Sequence, residues 1–371
     1  MFWQYTAAAM RQMPAETAHL MAVKAMQMHL VPRASAPAGK ALATRLCGLD
    51  FTHPVGLAAG FDKNAQTMGG AFKMGLSHIE VGTITPKPQP GNPRPRVFRL
   101  SQDRAVINRY GFNSQGMDKA FDRLNTYRRN ACADGIIGVN IGANKLSEDK
   151  PADYYHTALK LAPVADYLTV NISSPNTAGL RDLQHADQLK ATLDAAKAGM
   201  AESSTSCPLF VKLAPDLSQD ELNASLDLTA QAGVDGVILT NTTLARPDTL
   251  RSADKTEQGG LSGAPLHDRA LQILQWAVAW RSTTQHQLHF IGVGGISTAE
   301  QAYMRLLMGA ELIQLYTALA LQGPVLVQQI LSRLSALAAA DGADLKQITG
   351  QIPDAEHARL HTQQLLKNAT G

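Results

Sequence analysis

Two serines near the middle of the chain lie at the predicted end of a strand, a position that often carries catalytic residues. The apolar, β-branched run Leu168-Thr169-Val170 predicts a strand, and the proline that follows predicts a loop beginning around Ser173 and Ser174. Amide side chains at Asn171 and Asn176 flank the hydroxyls, with no charged residue between them. This pattern suits a neutral substrate ring that exchanges hydrogen bonds, although Ser, Pro and Asn also form ordinary turns.

A single lysine interrupts another apolar run. Lys212 lies within Phe210-Val211-Lys212-Leu213, which otherwise predicts a buried strand. Burying an unpaired ammonium is costly, so a lysine in this position indicates a functional charge. A lysine at a solvent or bilayer edge is the alternative.

A glycine cluster and a hydroxyl-rich strand end indicate a phosphate site. Gly292-Val293-Gly294-Gly295 ends one apolar run, and Ser297 with Glu300 has the spacing of a capping box at a helix start. Tyr316-Thr317 ends the next run. Free backbone N–H groups at a helix start bind phosphate, so these segments predict a phosphate-binding turn.

The predicted phosphate-binding turn, the lysine ammonium and the amide side chains together indicate a site for a phosphorylated planar cofactor. Flavin mononucleotide (FMN) fits, because its ring presents carbonyls and nitrogens to Asn and Thr, and its reduction leaves negative charge that an ammonium stabilises. Pyridoxal phosphate, or an imine formed by Lys212 or Lys63, is the competing interpretation.

Eight short apolar runs carry these residues, and helix-like segments separate most of them. Strands that are apolar on both faces and alternate with helices predict a parallel sheet, and eight such units predict an α/β fold of the (β/α)8 TIM barrel type. Catalytic groups then lie at the carboxyl ends of the strands. A doubly wound open sheet is the alternative, but Gly56–Lys63 lacks its glycine fingerprint. The runs are Val55–Ala59, Ile79–Gly82, Ile136–Ile141, Leu168–Ile172, Leu209–Leu213, Val237–Thr240, His289–Val293 and Leu312–Tyr316.

Composition argues against several classes of protein. A formal charge of +3 over 371 residues is too small to indicate nucleic-acid binding, and the Arg94, Arg96 and Arg99 cluster is typical of a solvated loop. Three widely spaced cysteines without a Cys/His grouping predict a reducing compartment and no metal site. We find no signal peptide and no apolar stretch of about 18 residues that would span a membrane.

The two ends of the chain differ from the barrel. Residues 1–37 predict a small N-terminal helical extension of two helices, with a break near Pro14. The second helix ends by Pro32 and has a broad apolar face, from which His19 and Lys24 point away. These helices either pack on the main domain or lie in a bilayer interface. Residues 38–337 predict the barrel, closed by a helix over Pro324–Leu337. Residues 338–371 lack a periodic apolar pattern, so we expect a loosely attached tail.

Taken together, these segments resemble the dihydroorotate dehydrogenases, specifically the membrane-associated, quinone-reducing class 2. The likeness extends in order over roughly residues 50 to 325. It is carried by Ala58–Lys63, Thr85–Pro93, Asn108–Asn113, Asn171–Thr177, Thr240–Thr243, Gly259–Gly263 and Ile291–Gly295.

The resemblance implies oxidation of (S)-dihydroorotate to orotate in de novo pyrimidine (UMP) biosynthesis, with FMN as hydride acceptor and a membrane quinone as final electron acceptor. It implies Ser174 as the catalytic base, which hands the proton on through water or Thr177. The soluble class is expected to have a cysteine as base, in a different strand-to-helix loop, and none of the three cysteines here lies in a matching motif. The implied substrate-binding residues are Lys63, Asn108, Arg109, Tyr110, Gly111, Phe112, Asn171, Asn176, Asn241 and Thr242. The implied cofactor-binding residues are Ala59, Gly60, Phe61, Asp62, Lys63, Thr83, Asn140, Asn171, Lys212, Thr240, Gly263, Gly294, Gly295, Tyr316 and Thr317.

The resemblance also favours the membrane interpretation of the N-terminal helices. In this class they form an apolar funnel for the quinone tail, and Arg99 is the position expected near the quinone head. The implied protein is a peripheral membrane protein on the cytoplasmic side of a bacterial inner membrane, without nucleic acid or metal. A flavin-free lyase that works through a lysine imine, and a membrane scaffold without activity, are the alternative functions.

Overall fold

Thirteen strands and thirteen helices follow one another in the part of the chain that the computed structural model describes, residues 2–34, 40–130, 135–174, 176 and 186–368. The strands are β1 (Thr44–Leu46), β2 (Leu49–Phe51), β3 (Val55–Leu57), β4 (His78–Ile84), β5 (Val97–Leu100), β6 (Ala105–Asn108), β7 (Ile136–Ile141), β8 (Tyr167–Asn171), β9 (Leu209–Leu213), β10 (Gly236–Leu239), β11 (Gly260–Gly263), β12 (His289–Val293) and β13 (Leu312–Leu315). The helices are α1 (Phe2–Met10), α2 (Ala15–Gln27), α3 (Met68–Lys73), α4 (Met117–Arg128), α5 (Lys150–Leu161), α6 (Ala186–Glu202), α7 (Gln219–Gln231), α8 (His267–Thr283), α9 (Ala299–Met308), α10 (Thr317–Gln322), α11 (Val325–Asp341), α12 (Leu345–Ile348) and α13 (Ala355–Asn368).

Eight parallel strands close into a barrel in the order β3-β4-β7-β8-β9-β10-β12-β13. This order confirms the predicted TIM barrel, and each predicted strand is present with ends that differ by at most two residues. The strands are buried on both faces because helices cover the outside and side chains fill the inside. Gly75, Gly233 and Gly309 have positive φ angles just after α3, α7 and α9, where a side chain would be strained and the chain turns toward the next strand.

Two smaller sheets cover the ends of the barrel. The antiparallel hairpin β1-β2 places Leu46 and Phe51 in a cluster with Phe210 and Ile291 from the barrel interior. The antiparallel sheet β11-β6-β5, which the sequence analysis did not predict, brings together chain segments around residues 100 and 260. It positions Asn108 and Gly263 beside the barrel mouth.

The N-terminal segment forms two helices separated at Pro14, as predicted, although α2 ends at Gln27 and not near Pro32. The predicted orientation of His19 is wrong. Its ring lies between the barrel residues Phe61 and Tyr316, with centroids 5.2 and 6.3 Å away, while Leu20 is exposed. Packing against aromatic rings outweighs the polarity of the imidazole here.

The prediction that Arg96 lies in a solvated loop is also wrong. Its side chain is buried, and it donates hydrogen bonds to the carbonyls of Pro90 and Asn92 at 2.7 and 2.9 Å. It also pairs with the carboxylate of Glu16 on α2 at 2.9 Å. Arg96 therefore attaches the N-terminal helices to the barrel.

Two predicted helix boundaries are shifted. The cap of α9 is Thr298, whose extended backbone lets its hydroxyl accept the N–H of Gln301, so the predicted capping box at Ser297 lies one residue too early. The closing helix α11 continues to Asp341, and Gly342 ends it in the left-handed conformation.

The expectation of a loosely attached tail is wrong for the described residues. Helices α12 and α13 pack on α9, α8 and α11, and they bury Leu345, Ile348 and Ala358 completely or nearly so. His361 and Tyr303 both hydrogen-bond to Asp341, which links α13 and α9 to the end of α11. The tail is part of the outer helical layer of the barrel.

Across the described ranges, each helix is too short or too polar to traverse a bilayer.

Candidate active site

A buried ion pair lies inside the barrel. The Nζ atom of Lys212 on β9 lies 3.9 Å from Oε1 of Glu80 on β4, and the two side chains are 5% and 0% exposed. The other carboxylate oxygen of Glu80 accepts hydrogen bonds from Gln314 at 3.0 Å and Tyr167 at 3.4 Å. Burial lowers the pKa of Lys212 and Glu80 raises it. Glu80 is not among the predicted site residues, although a lone carboxylate within the apolar run Ile79–Gly82 is a signal of a functional charge.

Hydrogen-bonded amides continue from this pair toward the barrel mouth. Asn140 donates to Glu80 at 2.8 Å, and its amide oxygen accepts the Thr83 hydroxyl at 2.6 Å. Asn171 donates to Thr83 at 2.9 Å and to Asn140 at 3.1 Å. Asn241 donates to Asn171 at 3.3 Å. These residues come from three strands, β4, β7 and β8, and from the loop after β10, and each restricts the rotamer of the next, so the fold assembles a rigid polar wall.

The two central serines have different surroundings. Ser173 accepts a hydrogen bond from Asn241 at 3.0 Å and lies 3.4 Å from the amide oxygen of Asn171, so its hydroxyl belongs to the polar wall. The buried Ser174 hydroxyl accepts the backbone N–H of Asn176 at 3.3 Å, and within the described ranges no acceptor holds its hydrogen. The predicted relay residue Thr177 lies outside the described residues.

A cavity of about 780 Å³ leads from the barrel mouth to the N-terminal helices. Lys212 and Gln314 lie at its barrel end, and apolar side chains of α1 and α2, including Trp3 and Met26, line its other end. The side-chain oxygen of Gln314 is buried without a partner in the described chain, so this end presents an acceptor that needs a donor. The predicted site residues that line the cavity are Ala59, Phe61, Arg99, Asn108, Tyr110, Lys212, Thr240, Asn241, Thr242, Gly263, Gly294, Gly295, Tyr316 and Thr317.

The turn Gly294-Gly295, here called the glycine turn, forms one wall of the cavity. Its φ angles are +106° and +66°, and a Cβ atom on Gly295 would lie 2.4 Å from the Cα atom of His267. Only glycine fits this backbone. Within the described chain, neither of its N–H groups donates a hydrogen bond to protein. The turn can therefore bind an anion.

Lys63 lies beside the cavity, in contact with α2. Its Nζ atom donates to the carbonyl of Gly60 at 2.5 Å, and lies 3.4 Å from Nε2 of His19 and 3.9 Å from the ring centroid of Tyr110. Burial, and then Arg96, lower the pKa of Lys63 to about 7. Burial and Lys63 lower the pKa of His19, so the imidazole is neutral at neutral pH.

Arg99 joins the two N-terminal helices at the apolar end of the cavity. Its guanidinium donates to the carbonyls of Arg11 and Met13 at 2.6 and 3.1 Å. Burial and the neighbouring Arg11 lower its pKa. A positive charge therefore lies beside the apolar lining.

Several predicted site residues hold loops in place. The carboxylate of Asp62 accepts three backbone N–H groups of the following loop. Arg109 pairs with Glu257 at 2.6 Å, away from the cavity lining. Gln89 donates to the carbonyls of Gly111 and Phe112, both of which have positive φ angles. Direct ligand contacts by these residues stay a prediction.

The described residues contain no cluster of three or more His, Cys, Asp or Glu side chains suited to a metal ion.

The sequence and the fold of this chain are both similar to those of known proteins. A sequence model of the dihydroorotate dehydrogenase family matches residues 41–337. A relative named dihydroorotate dehydrogenase (quinone), from Azorhizobium caulinodans, is 44% identical over 331 residues, which cover 88% of this chain and 92% of the relative. Mouse dihydroorotate dehydrogenase (quinone), mitochondrial, is 43% identical over 89% of this chain and 84% of its own length. The crystal structure of DHODH in complex with ferulenol from Eimeria tenella matches with a TM-score of 0.85 and 37% identity, over 91% of this chain and 95% of that chain.

Proposed function

This chain belongs to the dihydroorotate dehydrogenase family, and from that premise we propose how its residues act. The protein oxidises dihydroorotate to orotate in pyrimidine biosynthesis with a quinone as electron acceptor. The residues that would hold FMN lie at the barrel mouth. The observation that carries this proposal is the single cavity that joins Lys212 and the glycine turn to the apolar faces of α1 and α2.

The donors around the cavity fit FMN. The glycine turn and the start of α10 at Thr317 supply N–H groups for its phosphate, and Lys212 supplies a positive charge for its ring. Gln314 offers a buried acceptor without a partner among the described residues, and Thr240 lines the same cavity. When bound, FMN accepts a hydride from the substrate and delivers electrons to the quinone. The remaining predicted cofactor contacts are Ala59, Gly60, Phe61, Asp62, Lys63, Thr83, Asn140, Asn171, Gly263 and Tyr316.

Ser174 is the proposed base for the C5 proton of dihydroorotate. Its hydroxyl is buried, is oriented by the N–H of Asn176, and has no acceptor for its hydrogen among the described residues. A serine hydroxyl is a weak base, so the proton must leave through water or a neighbouring group. Burial keeps the hydroxyl from bulk water and reserves it for the substrate.

Amides and one ammonium are proposed to bind the substrate. Asn176 donates a hydrogen bond to Asn108 at 3.3 Å, and Asn241 donates one to the hydroxyl of Ser173 at 3.0 Å. A substrate analogue that leaves these amides without hydrogen bonds binds more weakly. Lys63 can bind the substrate carboxylate. The further predicted substrate contacts are Arg109, Tyr110, Gly111, Phe112, Asn171 and Thr242.

Residues 1–37 are proposed to guide a membrane quinone to Arg99. The helices α1 and α2 expose apolar side chains that are unusual on a solvated surface, among them Phe2, Tyr5, Leu20 and Met21. Apolar faces of this kind lie in the bilayer interface. The protein is then a peripheral membrane protein on the cytoplasmic side of a bacterial inner membrane, and residues 38–337 form its catalytic barrel.

An anaerobic titration tests the proposal. The purified protein should be yellow, lose its flavin absorbance on addition of dihydroorotate with formation of orotate, and regain the absorbance when a quinone is added. A colourless protein, or a flavin that dihydroorotate does not reduce, would contradict the proposal. Borohydride trapping of a substrate adduct on Lys63 or Lys212 would favour an imine-forming lyase instead.

A further inference from the structure

A buried arginine lies beneath the glycine turn. Arg305 on α9 is 1% exposed, and in the described part of the chain it forms no ion pair with a carboxylate. Burial lowers its pKa to about 9, with only Asp268 acting in the opposite direction, so the guanidinium stays charged at neutral pH. A buried cation without a partner anion is costly to maintain, which requires an explanation.

The partners of Arg305 are mainly backbone carbonyls. Its Nη2 atom donates to the carbonyl of Gly294 at 2.5 Å and to that of His267 at 3.5 Å, and Nη1 donates to the carbonyl of Gln301 at 3.2 Å. The guanidinium thus connects the glycine turn to α8 and α9. A planar group with several donors can make these contacts simultaneously, whereas a single ammonium is poorly shaped to do so.

His267 holds the second carbonyl of the turn. Its Nδ1 atom lies 3.2 Å from the carbonyl oxygen of Gly295. The oxygen can only accept, so Nδ1 carries the hydrogen in this bond, and the 3.4 Å contact between Nη1 of Arg305 and Nδ1 is then not a hydrogen bond. Burial and then Arg305 lower the pKa of His267 to about 4, so the ring is a neutral donor at neutral pH.

These two contacts determine where the N–H groups of the turn point. In a trans peptide, the carbonyl of one residue and the N–H of the next point in opposite directions. Arg305 holds the Gly294 carbonyl, which directs the Gly295 N–H away from the guanidinium. His267 holds the Gly295 carbonyl, which directs the Ile296 N–H away from the imidazole. Gly295 and Ile296 line the cavity, and successive N–H groups of this kind form an anion-binding concavity.

We propose that Arg305 is a positioning residue for the cofactor phosphate. It holds the glycine turn in its anion-binding conformation, and its buried charge makes the site prefer a phosphomonoester dianion to a neutral analogue. The bound phosphate in turn supplies the anion that Arg305 lacks within the described part of the protein. This inference rests on the proposed flavin function and extends it to a residue that does not itself line the cavity.

A flavin-exchange experiment tests the role of Arg305 without measuring turnover. The holoenzyme is equilibrated with a graded excess of riboflavin, which has the same ring but no phosphate, and the bound flavin is then identified by chromatography. Arg305→Met should reduce the preference for FMN over riboflavin by about tenfold or more, because it removes a buried charge and its hydrogen bonds. Arg305→Lys keeps the charge and should give an intermediate preference.

The matched control is Arg333→Met, which removes a partly exposed arginine that pairs with Glu300 at 3.3 Å. It should retain the wild-type preference. An unchanged preference in Arg305→Met, or an equal loss of FMN and riboflavin, would overturn the inference, since a purely structural role affects both flavins alike. If Arg305→Met fails to fold, a wild-type preference in both Arg305→Lys and Arg305→Gln would overturn it equally. Wild-type protein purified without flavin would instead overturn the proposed function, and this inference with it.

Discussion

The ammonium of Lys212 and the carboxylate of Glu80 lie 3.9 Å apart inside the barrel, on strands that are not neighbours in the sheet. Both side chains are buried, and the carboxylate stabilises the charge of the ammonium. Because Asn140 and Gln314 bind the same carboxylate, Glu80 also orients two amides of the candidate site.

Removing this carboxylate should destabilise the fold in a pH-dependent manner. Glu80→Gln leaves the Lys212 ammonium buried without a counterion, and we expect a loss of about 3 kcal/mol in the free energy of unfolding at neutral pH. The lost carboxylate raised the pKa of Lys212, so the variant has a lower one. A lysine that holds its proton more weakly when folded makes stability rise with pH up to its unfolded pKa, so the loss should shrink toward about pH 10.

Urea unfolding across this pH range measures the effect, and the double variant Glu80→Gln/Lys212→Met should recover part of the lost stability. A Glu80→Gln loss that does not change with pH would contradict the ion-pair interpretation.

The proposed base can be separated from its neighbour by matched substitutions. Ser174→Ala should keep its flavin and reduce the rate of flavin reduction by dihydroorotate about 10²- to 10⁴-fold, the usual contribution of a general base. Ser173→Ala, which removes a hydroxyl engaged by Asn241 and Asn171, should have a much smaller effect. Stopped-flow flavin absorbance measures both, and similar rates in the two variants would remove Ser174 from its role.

Substrate binding should weaken as pH rises. The pKa of Lys63 is lowered to about 7, so its charge is lost through that pH in the free enzyme. The affinity for the dihydroorotate carboxylate should therefore fall above about pH 7 with a one-proton dependence. Lys63→Met should bind weakly at every pH, whereas Lys73→Met on α3, whose ammonium binds the His29 carbonyl, should keep the wild-type profile. Orotate titrations followed by flavin absorbance test this, and a flat wild-type profile would contradict it.

Membrane binding should depend on the exposed face of α2. Leu20 and Met21 are exposed, and replacing both with aspartate should weaken binding to phosphatidylglycerol vesicles about tenfold or more, because it removes apolar area from the interface. Reduction of the flavin by dihydroorotate should be unchanged. Leu360→Asp, an equally exposed leucine on α13, is the control and should bind normally. Vesicle co-sedimentation measures this, and unchanged binding by the double variant would exclude this face as the membrane contact.

The C-terminal helix should contribute to stability. Leu365 is 7% exposed and Leu360 is 52% exposed, although both lie on α13. Leu365→Asp should lower the free energy of unfolding by about 3 kcal/mol by burying an unpaired carboxylate, and Leu360→Asp should change it by less than about 0.5 kcal/mol. Equal unfolding midpoints in the two variants would show that α13 does not support the barrel.

The amino-acid sequence by itself determined the eight barrel strands. A parallel strand buried on both faces is apolar along most of its length, so runs such as Ile136–Ile141 and Leu209–Leu213 are visible without a structure. The position of Lys212 within such a run also predicted a functional charge. These are local properties, because burial on both faces constrains each residue of the strand.

Only the tertiary structure decided which side chains became partners. Lys212 pairs with Glu80 across the barrel, and the ring of His19 packs against Phe61. Arg96 pairs with Glu16, which lies 80 residues earlier in the sequence. Arg305 on α9 donates to the carbonyl of Gly294, the residue that follows β12. The physical reason is that a polar side chain is satisfied by whichever groups the packing of distant elements brings within hydrogen-bond distance, and no local pattern specifies those groups.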